Sequence, residues 1–143
     1  MRQIKFRAWD KDKKKMLFPD GKRWGFKLSS SFLGAGMNRI LIISPDGDLV
    51  KYEKVDNDIR PETEVVNEEY ELMQFTDLLD RNGKEIYEGD INADDVNKKS
   101  VVEFYAGGFY LKSSPTEYLH IGATAPFDRN VIGNIYENPE LLK

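Results

Sequence analysis

Carboxylates and one histidine are the residues of this chain that could carry catalytic chemistry. The sequence has 25 Asp and Glu residues and a single histidine, His120. Two converging carboxylates can act as general acid and base, and a histidine can activate a serine nucleophile. Any pair of carboxylates could converge in a fold, but His120 lies in the run EYLHIGA without a nucleophile motif such as G-x-S-x-G. We therefore expect a structural or surface histidine and no enzymatic activity.

The acidic residues do not have the spacing of a metal-binding loop. An EF-hand loop requires oxygen ligands at its first, third and fifth positions and a glycine at the sixth. In DRNGKEIYEGD, which starts at Asp80, Gly83 stands at the fourth position instead. The chain has no cysteine, which excludes thiolate metal sites and disulfides. Gly34 and Gly36 do not continue into a phosphate-binding motif, so we predict neither a metal nor a cofactor.

Positive charge is concentrated at the start of the chain. Residues 1–28 hold ten Lys and Arg against three Asp, a net charge of +7, whereas residues 46–95 hold seventeen acidic against five basic residues, a net charge of −12. The basic end could pack near the acidic part of the same chain or of a second copy. Alternatively, it could neutralise phosphates and stack on bases. The candidate nucleic-acid contacts are Arg7, Trp9, Lys13, Lys14, Lys15, Arg23 and Trp24.

Length and composition fit a soluble protein made of one or two small units. The 143 residues are 40% hydrophobic and 12% aromatic, enough to build a core. The sequence lacks an apolar run of about 18 residues, the length that crosses a membrane, and its N-terminus lacks the apolar stretch of a signal peptide. We expect a cytoplasmic protein with an N-terminal module over residues 1–69 and a second module over residues 70–143.

The first half of the chain reads as two hairpins. Residues 3–9 alternate apolar and polar side chains, and the charged run at residues 10–15 predicts a turn before an apolar return at 16–18. Residues 39–44 and 49–55 flank a Pro-Asp-Gly-Asp turn. We expect residues 29–38 to form a loop and residues 56–69, which contain Pro61, to form an acidic connector. A strand over residues 70–75 is favoured over a short helix near 64–72.

The second half reads as short strands separated by turns. We predict strands over residues 85–91, 100–105, 109–112 and 130–136, which is typical of a small barrel or roll. Ala106, Gly107 and Gly108 form the turn of one hairpin. Strand periodicity places about half of the aromatic side chains in the core and leaves the others for a binding surface. The aromatic candidates are Tyr87, Phe104, Tyr105, Phe109 and Tyr110.

Three stretches carry a family resemblance: MRQIKFRAWDKDKKKM, LMQFTDLLDRNGKEIYEGDI and VIGNIYENPELL, which start at residues 1, 72 and 131. Together they resemble the YopX family, small proteins of phages and prophages of Firmicutes with no established activity. The resemblance implies a mainly β protein with an SH3-like small barrel in its C-terminal half, and it is compatible with self-association. The family usually has glycine where this chain has Asp77, and a hydrophobic continuation after EGDI where this chain has Asn92 and Asp94.

The central stretch predicts architecture instead of a catalytic loop. Asn82 and Gly83 are the favoured pair of a type I′ hairpin turn, because both tolerate a positive φ. We expect Gly89 to relieve a bend or bulge and Asp90 to accept hydrogen bonds from turn amides.

These observations favour a non-enzymatic phage or prophage accessory protein that binds another macromolecule, either an unidentified protein or a second copy of itself. Nucleic-acid binding through the basic N-terminal segment is the alternative. We expect no membrane partner.

Overall fold

The structure is a computed structural model that describes residues 3–19, 25–28, 37–43, 48–55, 58–123 and 129–143. Across these residues the chain is mainly β, as predicted. Contacts divide it into two units, here called the N-terminal unit (Lys5–Leu72) and the C-terminal unit (Met1–Ile4 and Met73–Lys143). The N-terminal unit contains β1 (Phe6–Asp10), β2 (Lys15–Leu17), β3 (Gly25–Leu28), β4 (Met37–Ile43), β5 (Leu49–Val55) and β6 (Asp58–Val65).

The next strand, β7 (Tyr70–Leu79), begins in the N-terminal unit and continues into the C-terminal unit. The C-terminal unit also contains two 3₁₀ turns, at Ile121–Ala123 and Pro139–Leu142. The strands of this unit are β8 (Glu85–Tyr87), β9 (Asp90–Ala93), β10 (Lys99–Tyr105), β11 (Gly108–Ser114), β12 (Glu117–His120) and β13 (Asn130–Asn134).

The predicted first hairpin is confirmed in the N-terminal unit. Strands β1 and β2 pair antiparallel, with Trp9 opposite Met16. The buried Asp10 carboxylate holds the charged turn between them, because its Oδ1 accepts hydrogen bonds from the amides of Asp12 and Lys13 at 3.1 and 2.8 Å. Apolar residues of this unit form one buried cluster. Its fully buried members are Ala8, Leu49, Val66 and Tyr70.

Apart from the β1–β2 hairpin, the N-terminal unit contains a four-stranded sheet with the order β3-β4-β5-β6. The predicted hairpin of β4 and β5 is confirmed, whereas its Pro-Asp-Gly turn at 45–47 lies outside the described residues. The predicted connector over 56–69 is wrong, since β6 pairs with β5 across most of it. Proline is tolerated in a strand at a sheet edge, and Pro61 lies in β6 at such an edge. The predicted loop at 29–38 is described only at Met37 and Asn38, which belong to β4.

The C-terminal unit contains a five-stranded antiparallel sheet with the order β12-β11-β10-β9-β13, curled into a half-barrel. The inward side chains of β10 and β11 pack against residues from the flanking strands and from the 3₁₀ turn after β12. The resulting core contains Ile86, Val102, Phe109, Leu111 and Ile121, with Leu78 and Val131 packed against it.

A type I′ turn occurs in this sheet between β10 and β11. Tyr105 pairs with Gly108, and the two residues between them, Ala106 and Gly107, have φ angles of +46° and +83°. Two positive φ angles in a two-residue loop define the type I′ geometry, whose twist matches that of the paired strands. Gly108 is the first residue of β11.

The turn at Asn82 and Gly83 differs from the predicted type I′ geometry. Gly83 has a φ of +81°, but Asn82 does not have a positive φ. The amide of Gly83 donates to the Asp80 carbonyl at 2.9 Å, and the amide of Asp80 donates to the Lys84 carbonyl at 2.7 Å. This is a three-residue loop in which a left-handed residue follows an ordinary β-turn.

The side chain of Asp80 determines this geometry. Its Oδ1 accepts hydrogen bonds from the amides of Asn82 and Lys84 at 2.8 and 2.9 Å, and its Oδ2 accepts one from the amide of Val131 in β13 at 3.0 Å. Burial alone raises the pKa of Asp80, but these three hydrogen bonds and the charge of Lys84 outweigh burial and lower the pKa below its ordinary value.

The same turn recurs fourteen residues later, between β9 and β10. The Oδ1 of Asp94 accepts hydrogen bonds from the amides of Val96 and Lys98, and Asn97 is left-handed with a φ of +60°. The sequences DRNGK and DDVNK therefore fold alike: an aspartate first, a left-handed Gly or Asn fourth and a lysine fifth. Asn replaces Gly at the fourth position because both tolerate this backbone conformation.

Gly89 and Asp90 interrupt the strand that we predicted over residues 85–91. Gly89 has a φ of +79°, its amide donates to the Val102 carbonyl and its carbonyl accepts from the amide of Ile135. The buried Asp90 carboxylate accepts a hydrogen bond from the Tyr87 amide at 2.8 Å. The chain therefore bends between β8 and β9.

No helix within the part of the chain that the structure describes is long and apolar enough to span a membrane.

We predict that Asp80→Asn destabilises the protein at pH 7 by about 1–3 kcal/mol, because the amide group of asparagine leaves one of three backbone donors without an acceptor. The pKa of Asp80 is lowered in the fold, so its stabilisation is present above the ordinary value of 3.8 and is lost as the pH falls through the folded-state pKa. Urea unfolding at pH 7 and pH 3 should show the difference between wild type and variant shrinking at the lower pH. Asp12→Asn, at an exposed carboxylate of the β1–β2 turn, serves as the control, and an equal loss in both variants would contradict the assignment.

We predict that Gly89→Val lowers the free energy of unfolding by more than about 1 kcal/mol, because a β-branched residue is strained at positive φ. A Cβ at this position also lies 3.4 Å from the Met73 sulfur, which leaves little room for a larger side chain. Gly83→Asn is the matched control, since asparagine tolerates positive φ and nothing lies within 4 Å of a Cβ there. Urea midpoints should fall for Gly89→Val and stay near wild type for Gly83→Asn, and an unchanged midpoint for Gly89→Val would refute the argument.

Candidate interaction surface

The outer face of the half-barrel collects aromatic side chains from three neighbouring strands. Residues directly opposite in an antiparallel pair point to the same face of a sheet. Tyr110 of β11 lies opposite His120 of β12, and Lys112 of β11 lies opposite Tyr118 of β12. Tyr105 of β10 contacts both Tyr110 and Tyr118. We call Tyr105, Tyr110, Tyr118 and His120 the tyrosine face.

The rings of the tyrosine face contact one another in sequence. Tyr105 and Tyr118 stack with centroids 5.4 Å apart, Tyr105 and Tyr110 meet edge to face at 6.0 Å, and Tyr110 meets His120 edge to face at 5.1 Å. Tyr105 is 58% exposed and Tyr118 is 37% exposed. Mutual ring contacts limit the rotamers of these side chains, so a partner that binds them loses less side-chain entropy than on isolated tyrosines.

Charges beside the tyrosine face are paired. Lys112 Nζ lies 5.3 Å from the centre of the Tyr118 ring and donates to both carboxylate oxygens of Glu103, at 3.0 and 3.2 Å. A hydrogen bond with Tyr118, and then the hydrogen bond and charge of Glu103, raise the pKa of Lys112 above its ordinary value. Lys98 pairs with Glu117, at the start of β12, at 2.6 Å. The surface therefore presents aromatic rings beside neutralised ion pairs.

The ring of His120 is held in place by two glycines. Its Nδ1 accepts a hydrogen bond from the Gly122 amide at 3.1 Å, which leaves the proton of the neutral ring on Nε2. A Cβ at Gly122 would lie 3.2 Å from the ring, and a Cβ at Gly108 would lie 3.4 Å from Nε2. Within the described residues, the hydrogen bond seen at the exposed His120 ring is this one from Gly122.

A groove of about 510 Å³ opens beside the tyrosine face, within the same unit. Leu78, Phe109 and Ile121 of the core form its apolar part, and Phe104, which is 51% exposed, forms one wall. The volume lies in the range of small-ligand sites. Its remaining lining residues are Gln74, Thr76, Asp77, Gly107, Gly108, His120 and Gly122.

Asp77 carries the negative charge of this groove. Its backbone is left-handed, with a φ of +68°, at the position where the resemblance implied glycine. Its Oδ1 accepts a hydrogen bond from the Gln3 amide at 3.1 Å. The half-buried Glu88 receives hydrogen bonds from the backbone of Gln74 and Phe104, two of the lining residues, while its desolvation raises its pKa above the ordinary value.

Two of the predicted aromatic candidates belong to the core and two are exposed. Tyr87 and Phe109 are buried, Phe104 and Tyr105 are exposed, and Tyr110 is intermediate. Tyr118 was not among the predicted aromatic candidates, because β12 is short and has no alternation of buried and exposed residues. The Tyr-x-His spacing of Tyr118 and His120, which puts two rings on one strand face, was the available signal.

The basic N-terminal residues differ in their accessibility. Lys13, Lys14 and Lys15 are exposed in and after the β1–β2 turn. Trp9 is 5% exposed and Arg7 is 6% exposed, so both side chains are buried. The two further predicted contacts, Arg23 and Trp24, lie outside the described residues.

Among the residues that the structure describes, no three His, Asp or Glu side chains are grouped as metal ligands.

Comparisons with known proteins identify relatives of the whole chain. A family profile described as YopX protein matches residues 5–143. The crystal structure of protein EF1440 from Enterococcus faecalis is 26% identical, with a TM-score of 0.60 and full coverage of both chains. The crystal structure of protein yopX from Bacillus subtilis is also 26% identical, with a TM-score of 0.58 and coverage of 100% of this chain and 98% of that one. No curated protein matches. Because the family profile spans nearly all of the sequence, this chain belongs to the YopX family.

Proposed function

We propose that this YopX-family protein is a non-enzymatic binding module that attaches to another protein through the tyrosine face. The observation that carries the proposal is the exposed contact between Tyr105 and Tyr118, which leaves two stacked rings on the surface of a sheet. Tyrosine is enriched at protein interfaces, because its ring buries a large apolar area and its hydroxyl still forms hydrogen bonds.

The charges beside the tyrosine face favour a protein over a nucleic acid. Lys112, which lies over the Tyr118 ring, is paired with Glu103, and Lys98 is paired with Glu117 of β12. Single-stranded nucleic acids bind where aromatic rings adjoin a groove of excess positive charge that follows the phosphates. Paired lysines supply no such excess, whereas protein interfaces combine aromatic residues with few uncompensated charges.

The proposal includes the setting that the family resemblance suggests. The protein acts as an accessory factor of a phage or prophage in the cytoplasm of a bacterial host. A partner is either a host or phage protein or a second copy of this chain, since an aromatic sheet face can bury itself against an identical face.

A second candidate function is nucleic-acid binding through the β1–β2 turn. Lys13, Lys14 and Lys15 are adjacent, exposed and carried on a turn that Asp10 stabilises. Three phosphate contacts give a modest, sequence-independent affinity that depends on salt.

We predict that replacing Tyr105 and Tyr118 together by serine abolishes protein capture and leaves the fold intact, because the two exposed rings contribute area to the interface and not to the core. The measurement is a pull-down with tagged protein from a nuclease-treated Bacillus subtilis lysate, followed by quantification of the captured protein. Val96→Ser, at an 84% exposed apolar residue of the same unit, is the control. Equal capture by wild type and the double variant would contradict the proposal, and recovery of the wild type only in the absence of nuclease would favour the nucleic-acid alternative.

The nucleic-acid alternative makes a separate prediction. If all three lysines contact phosphates, affinity for duplex DNA should fall by about 40-fold between 50 and 200 mM salt, from a slope of about −0.9 per contact. Replacing Lys13, Lys14 and Lys15 by glutamine should then remove nearly all of the salt dependence in a fluorescence anisotropy titration. Replacement of the exposed Lys84, Lys98 and Lys143 by glutamine removes the same number of charges and controls for net charge. An equal effect of both sets of changes would rule out a role specific to the turn.

A further inference from the structure

The groove beside the tyrosine face has a chemistry that favours a positively charged ligand. Of the eleven described residues that line it, Asp77 is the one carboxylate, and none is lysine or arginine. Glu88 lies next to the groove, where its amide donates a hydrogen bond to the carbonyl of the lining residue Gln74 at 2.9 Å. A nucleotide or another anion would meet a carboxylate here without a compensating cation, so the electrostatics disfavour anions and favour cations.

The apolar surfaces of the groove fit an extended aliphatic chain that ends in a flat cation. Leu78, Phe109 and Ile121 belong to the hydrophobic core and also line the groove. Phe104 exposes half of its side chain there and meets Phe109 edge to face at 5.2 Å. An exposed phenyl face attracts a guanidinium group through both stacking and cation–π interaction. Arginine combines such a group with a methylene stem that packs on apolar surface.

The carboxylate of Asp77 is held in a fixed orientation for binding a guanidinium group. The left-handed backbone and the hydrogen bond from the Gln3 amide to Oδ1 fix the orientation of its carboxylate. An ionised carboxylate has about four acceptor sites, so one hydrogen bond to Oδ1 leaves the others available. The paired N–H donors of a guanidinium group can bind both oxygens of a carboxylate at once, whereas a lysine ammonium lacks this planar pair of donors.

We propose that this groove binds an arginine side chain of a protein partner, with the guanidinium between Asp77 and Phe104 and the stem on the apolar residues. The inference rests on the proposed protein-binding function, because it supplies a specific contact for a partner that also covers the tyrosine face. The two surfaces share His120, which belongs to the tyrosine face and lines the groove.

The test uses the short peptide acetyl-Gly-Arg-Gly-amide as the probe, with the citrulline peptide as its neutral match of equal shape. Titration of the ¹⁵N-labelled full chain should shift the amide resonances of Gly107, Gly108 and Gly122, and the arginine peptide should bind at least tenfold more tightly than the citrulline peptide. Asp77→Asn should remove this preference, since it removes the charge but retains an oxygen for the Gln3 amide and tolerates positive φ. Phe104→Leu should weaken the arginine peptide more than the citrulline peptide.

The outcomes separate this inference from the proposed function. Equal affinity for the arginine and citrulline peptides, shifts outside the groove, or tighter binding of adenosine monophosphate than of the arginine peptide would overturn the arginine site. The double replacement of Tyr105 and Tyr118 by serine should leave peptide affinity within twofold of wild type. Loss of protein capture in that variant with unchanged peptide affinity would support both surfaces, whereas intact capture with unchanged peptide affinity would support the arginine site alone.

Discussion

The fold of the C-terminal unit depends on aspartate side chains that accept hydrogen bonds from the backbone of their own turns. In both three-residue turns of this unit, β7–β8 and β9–β10, the first residue, Asp80 or Asp94, accepts hydrogen bonds from the amides two and four positions later. Each carboxylate thereby satisfies donors that the change of chain direction leaves without strand partners. Asp80 also binds the amide of Val131, so the turn after β7 is tied to the strand that closes the sheet. Much of the acidity of the central sequence therefore serves to fix turns.

The sequence was sufficient to predict the fold class and most strands, because these depend on local patterns. Alternation of apolar and polar residues identified β1, and a Pro-Asp-Gly-Asp turn between two strand-forming runs identified the β4–β5 hairpin. Adjacent glycines identified the β10–β11 turn. The errors came where a local signal competed with tertiary pairing. Acidic residues and Pro61 led to the prediction of a connector where the chain forms β6, a strand stabilised by its pairing with β5. The Asn-Gly pair suggested a two-residue turn, but the hydrogen bonds of Asp80 to Lys84 and Val131 favour a loop of three.

The tyrosine face was less predictable than the fold, because it depends on which strands are neighbours. Periodicity separates the two faces of a strand, but it does not say that β10, β11 and β12 lie side by side. That neighbourhood brings Tyr105 to Tyr118, which is thirteen positions away in the sequence. The groove was even harder to predict from the sequence, since its lining combines residues from β7, the β10–β11 turn and the 3₁₀ turn after β12.

The left-handed backbone of Asp77 has a consequence for divergence within the family. Glycine adopts this conformation without strain, whereas a non-glycine residue incurs a cost of about 1 kcal/mol or more. Glycine in place of Asp77 would meet the same positive φ without that cost, but it would leave the groove without this carboxylate. A single codon change between aspartate and glycine would therefore alter the charge of the groove while the backbone conformation of β7 stays accessible.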